Sequence, residues 1–193
     1  MVEPTALLAG RPVHRIGFGA MQLPGPGVFG PPRDRAAALD VLRRAVALGV
    51  DHIDTAQYYG PDVANELIRS ALHPYPPELV IVSKVGARRD EHGGWLPAGT
   101  APELRAGVED NLRALEVAAL DVVNLRVHGA ASPDAQFDDQ VGAMVELRDV
   151  GLIRAIGISN VSLAQLERAT ELTRVDCVQN PVQRDRPVVH RRA

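Results

Sequence analysis

Asp54, Tyr59 and Lys84 are an acid, a phenol and an amine placed where short apolar runs end. Asp54-Thr55-Ala56-Gln57-Tyr58-Tyr59-Gly60 closes one run, and Val82-Ser83-Lys84-Val85-Gly86 closes the next. A phenol with pKa ~10 is a poor proton donor or acceptor at neutral pH. A nearby ammonium favours the phenolate, and a carboxylate paired to that ammonium holds it in place. Moving a phenol down by about 2 units corresponds to about 2.7 kcal/mol, within reach of one close, partly desolvated charge. The trio then makes a general acid/base for a carbonyl oxygen. The same residues also read structurally, as a helix N-cap, a rim aromatic and a strand-end lysine that snorkels to water. Composition weighs between the two. Among 21 Lys and Arg residues Lys84 is the only lysine, so a solvating role would fall to arginine in this chain.

The elements that must position these groups are legible as periodicity. Strand-length apolar runs span His14–Met21, His52–Ala56, Leu79–Val85, Asp121–Val127, Ala155–Ser159 and Cys177–Val182. Most are nearly continuous, as strands buried on both faces are. Between them, Leu39, Leu42 and Val46 recur at helical spacing, as do Ala64, Leu67, Ile68 and Ala71, and Leu104, Val108, Leu112 and Leu115. Phe137, Val141 and Met144 outline a fourth helix that Gly151 ends. Thr100 with Glu103, and Ser162 with Gln165, have the spacing of capping boxes. Pro24–Pro32, Pro74–Pro77 and Arg88–Pro97 read as loops. Strand and helix alternating every ~30 residues predict right-handed βα units on a parallel sheet, with Asp54 and Lys84 at the carboxyl ends of neighbouring strands. The count of strands fits either a barrel or a doubly wound sheet. Gly17-Phe18-Gly19 is followed by Ala20-Met21 instead of a helix, which argues against a Rossmann nucleotide site.

Composition sets the class. The 193 residues are 46% apolar and 23% charged, which suits one globular domain over residues 1–193 and excludes disordered, collagenous and coiled-coil chains. A net charge of −3 without a basic block gives no support to nucleic-acid or membrane-surface binding. Cys177 is the single cysteine, which excludes an intrachain disulfide and reads as a small core residue. No run reaches the ~18 apolar residues of a membrane span, and the N-terminus lacks a signal-peptide core, so the expected location is the cytoplasm. The six histidines have no zinc-ligand spacing. His52 reads as a strand residue facing the helices, and Trp95 as a residue of the substrate mouth or a loose surface aromatic.

Gly49-Val50-Asp51-His52-Ile53-Asp54-Thr55-Ala56 followed by Tyr59-Gly60 resembles the aldo-keto reductase signature. Lys84 in Ile-Val-Ser-Lys, then Gly157-Ile158-Ser159-Asn160 and Val178-Gln179-Asn180, continue the resemblance in order. The resemblance implies an α/β fold of (β/α)8 TIM-barrel type and carbonyl reduction with NADPH. Carried over, it implies Tyr59 as the general acid, Lys84 as the cation that favours its ionised form, and Asp54 as the carboxylate bonded to Lys84. Ser159, Asn160 and Gln179 would hold the nicotinamide carboxamide. Gly19 and Met21 would approach the ribose and pyrophosphate.

Two departures follow. The family carries a catalytic histidine at the end of the fourth strand, in a pattern like Asp-Leu-Tyr-x-Ile-His. Here the strand reads Asp121-Val122-Val123-Asn124-Leu125-Arg126-Val127-His128-Gly129. Aligned without gaps, Gly129 is read at the histidine position with His128 one residue early, on the wrong face of the strand. The second departure is that seventh and eighth strands do not follow. Arg184-Asp185-Arg186-Pro187-Val188-Val189-His190-Arg191-Arg192-Ala193 does not resemble them, and its arginines read as a solvated tail. The expectation is an incomplete barrel of about six of the eight strands, with open edges that another copy would pair. The function expected is reduction of an aldehyde or ketone to an alcohol. The alternative is an inactive remnant that acts as a binding or assembly partner or has no function of its own.

Overall fold

The chain enters through a hairpin, β1 (Ala6–Leu8) and β2 (Arg11–Val13), closed by a two-residue turn. Ala9 and Gly10 both have positive φ there, 51° and 77°, which matches the twist of paired antiparallel strands. This computed structural model describes residues 6–129 and 132–181. After the hairpin, β3 (Phe18–Gly19), β4 (His52–Asp54) and β5 (Val80–Arg89) lie side by side in parallel. A short β6 (Trp95–Ala98) folds back on the end of β5, and β7 (Leu120–Arg126), β8 (Ile153–Ser159) and β9 (Cys177–Gln179) complete the sheet. The order β3-β4-β5-β7-β8-β9 is chain order, parallel throughout. A doubly wound sheet reverses direction at a switch point; this sheet never does, which gives it the winding of a barrel.

Each parallel step crosses by a helix: α1 (Arg35–Ala47), α2 (Val63–Leu72), α3 (Ala101–Leu115), α4 (Ala135–Asp149) and α5 (Leu163–Leu172). Both expected capping boxes are formed, at Thr100 with Glu103 and at Ser162 with Gln165. Asp34 and Asp134 cap α1 and α4 by accepting from the N–H groups of Ala37 and Phe137.

Two apolar clusters hold the layers together. The larger lies between sheet and helices and joins Leu42, Ile53, Ile68, Leu104, Val108, Leu125, Met144 and Ile156. The smaller lies on the inner face of the sheet, where Val80, Val82, Val122 and Ala155 pack with Val13 of the hairpin. β2 thus stoppers the amino end of the inner face. Below it, Asp121 accepts from the Ile81 N–H and pairs with Arg11, tying β2, β5 and β7 together.

Three local expectations are corrected. The Arg88–Pro97 segment is the tip of the β5–β6 hairpin, with Asp90 Oδ1 accepting from the N–H groups of His92 and Gly94, and not an irregular loop. The first run is strand only at Phe18–Gly19 and continues as a 3-10 turn over Ala20–Gln22. His52 shares the face of Asp54, its ring packed so close to Gly17 that a side chain at 17 would collide with it. The last run is strand at Cys177–Gln179, and its end at Val182 lies outside the described residues, as do the arginines after it.

Candidate active site

Parallel pairing sets Asp54 of β4 opposite Val82 of β5, and Lys84 follows two residues later on the same face. The Lys84 ammonium donates to Asp54 Oδ2 at 2.6 Å and to the Thr55 carbonyl at 3.0 Å. One N–H of the three remains. The lysine side chain is 2% exposed and that of Asp54 25%, so the snorkelling alternative does not hold. Tyr59 is brought over the pair by a tight turn. Its N–H donates to Ala56 O, its carbonyl accepts from Ala64 N–H, and its ring centroid lies 5.0 Å from the Lys84 nitrogen. Gly60 completes the turn at φ 112°, and a Cβ there would strike Val63.

Behind this trio, a buried polar network clamps the two strands from their outer face. Thr55 Oγ1 donates to Asn65 Oδ1 at 2.8 Å, and Asn65 Nδ2 donates to Asn111 Oδ1 at 2.8 Å. Ser83 Oγ donates to the same Asn111 oxygen, while Asn111 Nδ2 donates to Gly107 O at 2.7 Å. All four residues are fully buried. Thr55 and Ser83 adjoin Asp54 and Lys84, so α2 and α3 hold the carboxylate and ammonium at fixed separation. Asn65 and Asn111 sit on the apolar faces of their helices, and a polar residue at a core position is the signal that could have found them.

The carboxyl ends of the later strands form a second group. Register places Arg126, Ser159 and Gln179 in one layer, directly above Lys84, Asn124, Gly157 and Cys177. Ser159 is 2% exposed, and its Oγ has no hydrogen-bond partner. A buried hydroxyl left unpaired is costly, so this atom fits an external amide. Asn160, at φ 61°, already spends its Nδ2 on Val127 O, and its N–H donates to Gln179 O. Gly19 and Met21 lie at the far side of the sheet, Gly19 with open space over its Cα and Met21 exposed. The structure therefore brings Asp54, Tyr59 and Lys84 together and sets Ser159 and Gln179 in one layer. Among the described residues, Asn160 Oδ1 accepts no hydrogen bond, its Nδ2 being held by Val127 O.

The fourth-strand reading needs correction. Counted from Asp121, the sixth place of Asp-Leu-Tyr-x-Ile-His is Arg126, not Gly129. β7 ends at Arg126, whereas His128 lies beyond it among Val127, Gly129, Ser132 and Gln140. Burial and the Arg126 charge hold the His128 imidazole below its ordinary pKa. The Arg126 guanidinium carbon lies 5.9 Å from the Trp95 ring centroid, and Arg89 stacks on the same ring at 3.9 Å. Tyr58 meets Trp95 and Tyr59 edge-on at 5.5 and 5.4 Å. The Arg126 Nε is buried without a hydrogen-bond partner, while the guanidinium faces the buried Tyr58 hydroxyl. Burial drives the Tyr58 phenol far above its usual range, with Tyr59 adding to it and Arg126 opposing it. Trp95 is thus packed against Tyr58 and Arg89 and is not a loose surface aromatic, although 42% exposed.

The family model described as "Aldo/keto reductase family" matches residues 15–187. The chain belongs to the aldo/keto reductase family. This aldo/keto reductase chain is 50% identical over 185 residues to the pyridoxine 4-dehydrogenase of Escherichia coli K12, covering 93% of this chain and 64% of that protein. Among solved structures, the glycerol dehydrogenase of Gluconobacter oxydans superposes with a TM-score of 0.79 at 26% identity, over 94% of this chain and 56% of that one. A Klebsiella pneumoniae aldo-keto reductase solved with NADPH gives 0.69 at 28% identity, over 93% and 58%. The chain thus spans under two thirds of the length of each of these relatives. No helix among the described residues is long and apolar enough to cross a membrane.

Proposed function

We propose that this reductase-family chain carries the NADPH-dependent interconversion of an aldehyde or ketone with its alcohol, within a single barrel-type domain. The observation that carries the reading is the buried Lys84–Asp54 pair beneath the Tyr59 ring. When bound, NADPH supplies the hydride for the carbonyl carbon. Tyr59 gives its phenolic proton to the carbonyl oxygen. Lys84 stabilises the charge left on the tyrosine, and Asp54 fixes the ammonium. Ser159, the amide oxygen of Asn160 and Gln179 would hold the nicotinamide carboxamide and so choose the face it presents. Gly19 and Met21 would border the ribose and pyrophosphate.

The substrate is a small carbonyl compound. The name of the Escherichia coli relative points to pyridoxine, an aromatic primary alcohol with a ring hydroxyl beside it, as the first compound to try. We also propose that the 193-residue polypeptide self-associates through β3 and β9, the end strands of the parallel sheet among the described residues.

The test is steady-state reduction with NADPH. Tyr59→Phe is expected to lower kcat at least 1000-fold while nicotinamide fluorescence still reports NADPH binding. Lys84→Met should do likewise, with Asp54 left in place. Activity within threefold of wild type in either variant overturns the assignment.

A further inference from the structure

Arg126 is a half-buried cation in the layer of Ser159 and Gln179, and among the described residues it forms no ion pair with any carboxylate. The groups around it do not neutralise it. Asp54 is committed to Lys84, and Arg89, 3.9 Å from the Trp95 ring centroid, is a second cation. His128 is held toward its neutral form. The buried Tyr58 phenol, held in its neutral form, faces the guanidinium without neutralising it. The charge and its unpartnered Nε therefore cost free energy until a negative ligand arrives. Gly86 lets β7 come this close to β5, because at φ 102° it has no side chain to strike the Arg126 carbonyl.

The donor geometry of Arg126 narrows the ligand. A guanidinium offers parallel N–H groups and a permanent charge. Two parallel donors suit two oxygens side by side. We propose that Arg126 is a substrate-binding residue that selects ortho-hydroxy aromatic aldehydes, bound as phenolates, with one N–H on the carbonyl oxygen and its neighbour on the ring oxygen. The inference rests on the reductase reading. Arg126 transfers no proton; Tyr59 keeps that role. A cofactor phosphate is the other source of anionic oxygen, and the test separates the two.

The probes are salicylaldehyde and its neutral counterpart 2-methoxybenzaldehyde, titrated calorimetrically into wild type, Arg126→Met and Arg126→Lys at pH 6 and pH 9. NADPH affinity is followed in parallel by nicotinamide fluorescence. In wild type, salicylaldehyde should bind at least tenfold more tightly at pH 9 than at pH 6. Arg126→Met should lose that gain, and Arg126→Lys should keep part of it. The methoxy compound should bind the wild type and both variants alike at both pH values. Thermal melts check that the variants are folded; if the Met variant is not, the Lys variant carries the comparison, since a point charge retains charge selection but not the two-pronged contact. Salicylaldehyde affinity that ignores pH in wild type, or that is unmoved by Arg126→Met, overturns the proposal. A tenfold loss of NADPH affinity with aldehyde binding intact assigns the charge to the cofactor and overturns it as well. Turnover of 2-methoxybenzaldehyde by wild type tests the reductase reading alone.

Discussion

Asp62 heads α2 at φ 59°, a left-handed conformation that Asn tolerates as readily as Asp. Burial first, then the nearby Asp110 and Glu66 charges, push its carboxyl up to about 6. A folded pKa above the ordinary carboxylate value means that the fold prefers the protonated acid. Ionised Asp62 therefore weakens the protein above pH 6, and the penalty fades as pH falls toward 4. Asp62→Asn is expected to stabilise by about 1 kcal/mol at pH 7.5, after allowance for solvent screening, and by almost nothing at pH 4. Urea unfolding at the two pH values checks this; an equal gain at both would trace it to the backbone instead. At this scale the sequence was uneven in what it revealed. Asp54, Tyr59 and Lys84 were readable because their types and their places at strand ends coincide. Arg126 was hidden by an offset counted in the wrong register, although the sixth position from Asp121 names it. Ser159 was named for a ligand, but its unpaired hydroxyl appears only once neighbouring strands are packed around it.

At the scale of elements, the Thr55–Asn65–Asn111–Ser83 network joins two strands and two helices. Asn111→Leu would leave Asn65 Nδ2 and Ser83 Oγ without their partner inside the core. The expected cost is about 3 kcal/mol. Asn65→Leu combined with it should cost less than the two single changes added, by about 1 kcal/mol or more, because the second change removes a group already orphaned. Chemical denaturation of the three variants measures the coupling, and strict additivity would dissolve the network into independent bonds. The helices and the two capping boxes at Thr100 and Ser162 were legible from spacing alone, since a capping box is a contact between residues three apart. The Asp34 and Asp134 caps were not read. Nor were the two hairpins. Ala9-Gly10 is an unusual turn pair, and Arg88–Pro97 is rich in the polar residues and glycines that also make loops.

For the whole molecule, the alternation of strands and helices left barrel and doubly wound sheet open, because strand order is set by pairing between distant segments. Pairing in unbroken chain order decides it. The sheet ends are short: β3 has 2 residues and β9 has 3, with Val178 of β9 exposed. Light scattering behind a sizing column should show the 193-residue polypeptide growing in mass with concentration. A constant monomer mass up to about 100 μM, where weak strand pairing would register, counts against pairing of these ends. The burial of Lys84 reaches beyond the reaction. It is the one lysine in the chain, and it lies under its own salt bridge, 2% exposed. Acylating reagents, acetyltransferases and ubiquitin ligases thus meet no side-chain amine on the folded surface. Covalent tagging of this position becomes a clock, advancing only as often as the site opens.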